Sequence, residues 1–348
     1  MSDELLLVGS IPLETAKDVF TSFGKPLGKH LGAVPDGEVG FRRHWISRVH
    51  FQVFAIHPDI RVLQRPRPDG GVERLNPHDV GDSWRFQVPE GVQAITFGEP
   101  GWRLGFARDA VNSYQIFASL KDKGVLPKHL RFQVSIPMVH SAAPPRIFAD
   151  LASCEKVRDG YADALRAELH KILEHIPPRE LAIQWDCATE LQEAYKGAID
   201  EQVPQVAISR DLPKAAKLGY HLCFGTLGGW PRFAPDDLGA AVKLANAFIA
   251  GSGRKVDWMH LPVLDRSDDA FFAPLKDLRA GNTRIYLGMV HNMERFKERL
   301  ATARKYIKNF GVGAFCGFGR MPPSDMPRVL KEHKQAISQL QKTWSVPD

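Results

Sequence analysis

Residues 181–187 read LAIQWDC, an apolar run of seven residues with an aspartate near its end. Large apolar side chains would face both sides of such a run, which is typical of a strand buried on both faces in a parallel sheet. The stretch 153–174 comes before it, with apolar residues three and four positions apart, as in an amphipathic helix. This order of helix and buried strand predicts an α/β fold.

Similar apolar runs recur along the chain, each followed by Gly, Pro or polar residues. The predicted strands are 5–11, 93–98, 131–137, 181–187, 219–224, 256–262, 284–290 and 311–317. Further helix candidates at 236–250 and 293–309 lie between these strands. Eight strands that alternate with helices predict a (β/α)8 TIM barrel.

The chain is longer than such a barrel needs. It has 348 residues, whereas a barrel of this type takes about 250. Most of the surplus lies at about 12–92, which includes the turn-rich stretch QRPRPDGG at 64–71. We expect an elaborated connection after the first strand, on the catalytic face of a single domain that spans 1–348. A small separate N-terminal domain is the alternative.

Composition limits the classes of protein that need consideration. Charged residues make up 25% and apolar residues 44% of the chain, which are ordinary values for a globular protein. The formal net charge is +6 without a run of five basic residues, so we expect no nucleic-acid surface, and basic groups near an anionic small substrate explain the excess. No apolar segment is long enough for a membrane span or a signal peptide.

The four cysteines are widely spaced and do not resemble a disulfide framework. We therefore expect a soluble cytoplasmic protein with reduced thiols that acts on a small molecule. Reduced thiols are available for metal binding or for chemistry.

Polar residues stand at the ends of several predicted strands. On a barrel these carboxyl ends converge and hold the active site. Polar groups at buried strand ends need partners or a function. The residues concerned are Ser10, Asp186, Glu190, His221, Cys223, His260, His291, Cys316 and Arg320.

The most informative of these patterns is His221-x-Cys223. Residues i and i+2 of a strand point to the same face, so the imidazole and the thiol would both face the barrel axis. A thiolate beside an imidazole suits zinc, and Cys316 at the last strand offers a third ligand. The structural alternative is that the two residues only pack in the barrel.

Each of the other candidates also has a structural alternative. Asp186 and Glu190 could cap the helix that follows their strand. Arg320 could clamp a substrate carboxylate or phosphate, or form an ion pair on the rim. His291 could be a hydrogen-bonded structural histidine, and Glu38 lies in a stretch, PDGE, that also predicts a turn.

Several dispersed motifs carry a family resemblance. They are VGSIP at 8–12, Gly37-Glu38, QWD at 184–186 with Glu190, His221-x-Cys223 and Cys316-Gly317. The sequence resembles the catalytic barrel of cobalamin-independent methionine synthase. The wider group of barrels includes uroporphyrinogen decarboxylase and coenzyme M methyltransferases. The motifs follow the family's order over nearly the whole chain, as expected for a stand-alone single-barrel member.

The resemblance implies a zinc ion held by His221, Cys223 and Cys316. The synthase adds a carboxylate ligand from the strand after His-x-Cys, but here residues 257–262 read DWMHLP and contain no glutamate. His260 could therefore be the fourth ligand, or face the substrate, or the position could be open.

The resemblance also implies a substrate pocket. Ser10, Glu38 and Asp186 would hold a substrate amino group, as homocysteine is held in the synthase. We count Glu190 and Arg320 as further candidates for substrate contacts. Because a carboxylate can either bind an amine or transfer a proton, both roles stay open for Glu38 and Asp186.

The function that the resemblance implies is a zinc-dependent methyl or alkyl transfer to a small thiol. Zinc would lower the pKa of the thiol, and His291 lies near the position of the family's proton-donating histidine. Without a carboxylate ligand the zinc is a stronger Lewis acid, so a lyase, hydrolase or demethylase that uses metal-bound oxygen is an alternative. A non-catalytic barrel that binds a small anion through Arg320 and Arg42 or Arg43 is a third.

Overall fold

Eight parallel strands form a nearly closed barrel in the computed structural model, which describes residues 4–99 and 101–344. The barrel strands are β1 (Leu5–Leu6), β2 (Ala33–Pro35), β3 (Arg131–Pro137), β4 (Leu181–Cys187), β5 (Lys217–Leu222), β6 (Trp258–Pro262), β7 (Arg284–Gly288) and β8 (Gly311–Gly313). Their order in the sheet is β1-β8-β7-β6-β5-β4-β3-β2. A parallel bridge between Leu5 and Leu31 brings the first strand to the second. The predicted (β/α)8 barrel is confirmed.

Helices alternate with these strands. The α-helices are α1 (Ala16–Val19), α2 (Lys25–Leu27), α3 (Ile46–Val49), α4 (Phe106–Asp122), α5 (Val139–Ala142), α6 (Leu151–His175), α7 (Thr189–Ala194), α8 (Gly239–Gly251), α9 (Asp269–Phe272), α10 (Phe296–Tyr306) and α11 (Met326–Trp344). The Asp150 side chain caps α6 by accepting a hydrogen bond from the Ser153 backbone N–H. None of the described helices combines the length and the apolar character that crossing a membrane requires.

The second barrel strand differs from the predicted one. Residues 93–98 form no strand, and β2 takes this place in the sheet. Ile95 and Phe97 are buried, and a Cβ added to Gly160 of α6 would lie 2.1 Å from the Ile95 carbonyl oxygen. Apolar residues at alternate positions here pack against a helix and not in a sheet. The prediction at 93–98 is therefore wrong.

The extra residues consequently follow the second strand and not the first. The predicted insertion at 12–92 contains β2 and the helical turns before it, so the elaborated connection runs from β2 to α4. It includes α3 and an antiparallel pair formed by Arg61–Gln64 and Arg85–Gln87. The sequence around β2 reads HLGAVPDG at 30–37, where glycine and proline interrupt the apolar residues, so no long apolar run marks this strand. The single-domain organisation of 1–348 stays a prediction.

Strand register brings three polar residues to one level of the barrel. Asp186 of β4 is paired with His221 of β5, and His221 is paired with His260 of β6. All three are buried. Paired residues in neighbouring strands point to the same face of a sheet, so the three side chains are neighbours near the carboxyl ends of their strands.

Candidate active site and metal centre

A cavity of about 860 Å³, including its open mouth, lies at the carboxyl ends of the barrel strands. Ser10 lines it after β1, Asp186 at the end of β4, Cys223 after β5 and Cys316 after β8. Trp45, from the elaborated connection, forms part of the wall. The cavity therefore lies where the active sites of such barrels lie.

His221, Cys223 and Cys316 meet in this cavity. One potential ligand atom from each lies within 4.8 Å of the other two. Among the described residues, no other set of three or more His, Cys, Asp or Glu side chains brings its potential ligand atoms this close together. The two sulfur atoms are 3.1 Å apart, and the Gly225 N–H donates to Cys223 Sγ at 3.2 Å. The neighbouring Cys223 thiol raises the pKa of Cys316, and burial acts in the same direction.

The hydrogen bonds of two histidines determine which ring nitrogen of His221 is free. Burial lowers the pKa of His221 and lowers that of His260 to about 4, so both rings are neutral. His260 Nε2 lies 3.0 Å from the Ala314 carbonyl oxygen, which can only accept, so this nitrogen donates. His260 Nδ1 then accepts from His221 Nδ1 at 2.8 Å. The remaining His221 Nε2 carries a lone pair, and it is buried without a hydrogen-bond partner.

These residues fit a zinc ion. A buried imidazole nitrogen without a partner, next to two thiols, is a soft donor set that zinc prefers. Three protein ligands with a further position open is the pattern of catalytic zinc sites, and a ligating thiol is deprotonated by the metal. His260 is not in the group of three. Both of its ring nitrogens have contacts already, Nδ1 with His221 and Nε2 with Ala314.

Two carboxyl groups lie beside this cluster. Ser10 Oγ donates to Glu38 Oε2, and Asp186 Oδ1 accepts from Gln184 Nε2 at 2.8 Å. Burial raises the pKa of Glu38 to about 7, and the Asp36 charge also raises it, whereas the Ser10 hydroxyl lowers it. Burial also raises the pKa of Asp186, and the Glu38 charge adds to this effect. Both carboxyl groups therefore keep their protons to a higher pH than exposed carboxyl groups do.

Ser10 and Asp186 line the main cavity, whereas Glu38 lines a smaller cavity of about 430 Å³ next to it. Trp45 lines both. Glu38 and Trp45 each have a φ of 48°, a region in which side chains other than glycine cost about 1–3 kcal/mol. Such strain persists where the surrounding structure holds it in place, and it is common at functional sites.

The remaining predicted site residues lie in different places. Glu190 is fully buried and accepts hydrogen bonds from the Ser141 N–H at 2.9 Å and from the Ser141 hydroxyl. These bonds join α5 to α7, and Glu190 does not line the cavity. His291 Nε2 contacts the Val263 carbonyl oxygen at 2.8 Å, and it does not line the cavity either. Arg320 lines the cavity.

Sequence reasoning missed two further arginines of the cavity wall. Arg146 and Arg232 line the cavity together with Arg43 and Arg320. Arg146 follows Pro144-Pro145 after β3, and Arg232 lies ten residues beyond the end of β5. Both lie within connections and not at strand ends, so no spacing marks them. Only their location in connections at the carboxyl ends could have indicated them.

Two solved structures resemble this fold. A B12-independent methionine synthase from Shewanella sp. W3-18-1, in complex with selenomethionine, has a TM-score of 0.64 at 13% identity, and the match covers 98% of each chain. A methyltransferase from Methanosarcina mazei has a TM-score of 0.53 at 8% identity, covering 99% of this chain and 96% of that one. No protein-family model and no curated protein matches the sequence. The likeness shows that the chain shares the barrel fold of these two proteins.

Proposed function

We propose that this chain is a zinc-dependent enzyme that transfers a methyl or other alkyl group to a small thiol. His221, Cys223 and Cys316 would hold the metal. The observation that carries the proposal is the buried His221 Nε2, which has no hydrogen-bond partner and belongs to a group with two thiols in the main cavity. The fold shared with a methionine synthase and a methyltransferase supports alkyl transfer as the reaction.

Zinc bound here would lower the pKa of a substrate thiol and so supply a nucleophile at neutral pH. The protein's own groups prepare the site. The Ala314 carbonyl fixes the tautomer of His260, and His260 in turn fixes the tautomer and the ring orientation of His221. The Gly225 N–H donates to Cys223 Sγ, which stabilises negative charge on that sulfur.

Ser10, Glu38 and Asp186 would bind a substrate amino group. Two acidic groups with raised pKa values and a hydroxyl give an ammonium group three acceptors, and the positive charge would lower both pKa values. We assign proton transfer first to Asp186, because it lines the cavity, with Glu38 as its electrostatic partner. His291 would need to leave the Val263 carbonyl oxygen to take part.

A second candidate is a lyase, hydrolase or demethylase in which water or an alcohol takes the place of the thiol. The observation that favours it is the metal group itself, which among the described residues includes no carboxylate. Zinc with two thiolates and a neutral imidazole is formally neutral, and it is therefore a stronger Lewis acid than zinc with an added carboxylate.

The test begins with metal content. We expect about one zinc per chain in protein purified without a histidine tag or added metal, as for a three-ligand catalytic site. Cobalt(II) titration should then give an intense thiolate-to-cobalt absorption band that saturates at about one equivalent. Homocysteine should increase this band if a thiol binds the metal, and methylated donors would then be assayed. An unchanged band with homocysteine would contradict thiol activation and favour the second candidate.

His260 offers a separate prediction. Replacing it with alanine removes the acceptor of the His221 Nδ1–H, so zinc affinity should fall by about 10–100-fold although no ligand is lost. His260→Gln should restore part of the affinity, because its carboxamide can accept from His221 and donate to Ala314. Chelator competition measures the affinities, with His129→Ala, at an exposed position elsewhere, as the control. Equal loss in the Ala and Gln variants would contradict a positioning role.

A further inference from the structure

We propose that the substrate carries at least two anionic groups, carboxylate or phosphate, and that Arg43, Arg146, Arg232 and Arg320 bind them in the main cavity. The inference rests on the proposed function only in treating the bound anion as the substrate. Its first support is the charge of the wall: all four guanidinium groups line one cavity. Asp186 is the one carboxyl residue among the described residues of that lining.

The four arginines lack the ion pairs that usually compensate such groups. Within residues 4–99 and 101–344, no carboxylate oxygen lies 4.0 Å or less from a guanidinium nitrogen of these four arginines, so none of them forms an ion pair there. Glu193 acts electrostatically on Arg146 and Arg232, but its own carboxylate is 2.9 Å from Lys196 Nζ. Arg43 and Arg232 are half-buried and lack a compensating carboxylate within the described protein, whereas Arg146 and Arg320 are exposed enough for water to solvate them.

Arg232 shows most directly that a partner is missing. Its Nη2 atom is buried and has no hydrogen bond. Burial of an unpaired guanidinium nitrogen is costly. The charge of Arg146 also repels that of Arg232: burial has the largest effect on the pKa of Arg146, the Arg232 charge lowers it further, and the result is about 10. An anion between the two arginines would satisfy the nitrogen and remove the repulsion.

The arginines come from four separate connections and line one cavity. Arg146 and Arg232 interact with each other. Burial lowers the pKa of His44 most, and Arg43 and Arg320 both lower it further. Arg320 also donates to Thr226 Oγ1 at 2.6 Å. Four guanidinium groups in one cavity present more donors than one carboxylate can accept, so they fit a substrate with at least two anionic groups.

Arg320 connects this surface to the candidate metal centre. Cys316 and Cys223 both interact electrostatically with Arg320, and Cys223 also interacts with Arg232. An anionic substrate could thus reach the cysteines while its charged groups stay on the arginines. The Gly319 Cβ position would be 1.9 Å from the Arg43 carbonyl oxygen, so only glycine allows the segment with Arg320 to pass this close to Arg43.

Calorimetry on the full chain tests the proposal with defined probes. Tricarballylate presents three carboxylates, pyrophosphate presents phosphate groups, and acetate presents one carboxylate. The titrations use the Cys223→Ser variant, purified with chelator, so that the probes cannot act by binding metal. We expect tricarballylate or pyrophosphate to bind at least about tenfold more tightly than acetate, since each charge-assisted contact contributes about 1.5–3 kcal/mol. The tighter of the two identifies the anion as carboxylate or phosphate.

Charge-neutral variants identify the site. Arg146→Gln and Arg232→Gln should each weaken the tighter probe by about tenfold or more, by the same estimate. Arg179→Gln, an exposed arginine before β4, removes the same charge at the other end of the barrel and should leave binding unchanged. If Arg232→Gln does not fold, Arg43→Gln and Arg320→Gln take its place.

Three results would overturn the proposal: equal affinity for acetate and the multivalent probes, no effect of the cavity variants, or an equal loss in Arg179→Gln. Because the titrations need no metal, they separate this inference from the proposed reaction. Arginine-dependent binding in a chain that takes up no zinc would keep the substrate class and reject zinc-dependent alkyl transfer. Zinc and thiol binding without arginine-dependent binding of the probes would keep zinc-dependent alkyl transfer and reject the anionic substrate class.

Discussion

Replacing Cys223 or Cys316 with serine is expected to remove zinc from the purified protein. A serine hydroxyl stays protonated near neutral pH and is a poor zinc ligand. Zinc-finger peptides bind zinc with about 10–16 kcal/mol, so one of four ligands contributes roughly 2.5–4 kcal/mol, and its loss should weaken affinity by about 70- to 900-fold. Mass spectrometry should find about one zinc per chain in the parent protein and little in either variant.

Cys154 provides the matched control. It is a buried cysteine in α6, its Sγ lies 3.5 Å from the Ala143 carbonyl oxygen, and it is outside the candidate metal group. Cys154→Ser should retain zinc. Retention of zinc by both Cys223→Ser and Cys316→Ser would reject this metal centre. A parent protein that takes up no zinc on titration would mean that the three residues only pack together.

The strands that sequence predicted correctly are those with long apolar runs. The run at 181–187 became β4, and all seven of its residues are buried. Such burial requires apolar residues on both faces of the strand, and this is visible in the sequence. By contrast, β2 lies within LGAVP at 31–35, where a glycine and a proline leave no long apolar run, and its place in the sheet comes from pairing with β3. Pairing between distant segments leaves no local signal, so the apolar residues at 93–98 were taken for the second strand.

In the candidate site, too, local spacing predicted some residues, whereas others depend on contacts between distant segments. His221 and Cys223 are two residues apart, and the structure brings both to the cavity with Cys316. The place of His260 behind His221 depends on the register of β5 and β6, which spacing within one strand cannot give. Arg146 and Arg232 depend on how the connections fold over the barrel, which requires the whole tertiary structure.

The barrel interior links these groups into one arrangement. Trp258 of β6 donates from its indole nitrogen to Gln184 Oε1 at 3.3 Å, and Gln184 donates to Asp186. Gly219 of β5 leaves the space for this indole, because a Cβ there would be 1.8 Å from the Trp258 ring. The barrel core therefore helps to orient Asp186 beside the candidate metal group.

Replacing Glu38 with glutamine is expected to stabilise the protein at alkaline pH and to impair its function. Burial raises the pKa of Glu38 from 4.5 to about 7. Above that pH the carboxylate is charged in both states, and its burial costs the folded state about 3 kcal/mol, at 1.36 kcal/mol for each unit of pKa. Glutamine carries no charge and can still accept from Ser10, so the variant escapes this cost but loses a group that we assign to amine binding.

The pH dependence distinguishes this effect from a change in packing. Below pH 4.5 Glu38 is protonated in both states, so its charge contributes no difference there. Between 4.5 and about 7 only the unfolded state releases the proton, so the parent protein loses stability relative to Glu38→Gln as the pH rises. Urea unfolding of metal-free protein at several pH values measures the difference in free energy of unfolding between the parent protein and Glu38→Gln. Glu90→Gln, at an exposed glutamate, is the control for charge. A difference in free energy of unfolding that is the same at every pH would contradict the burial of this charge. A difference that grows as expected would show that the protein keeps a destabilising carboxylate next to its cavity, as is expected where the group is used in binding or catalysis.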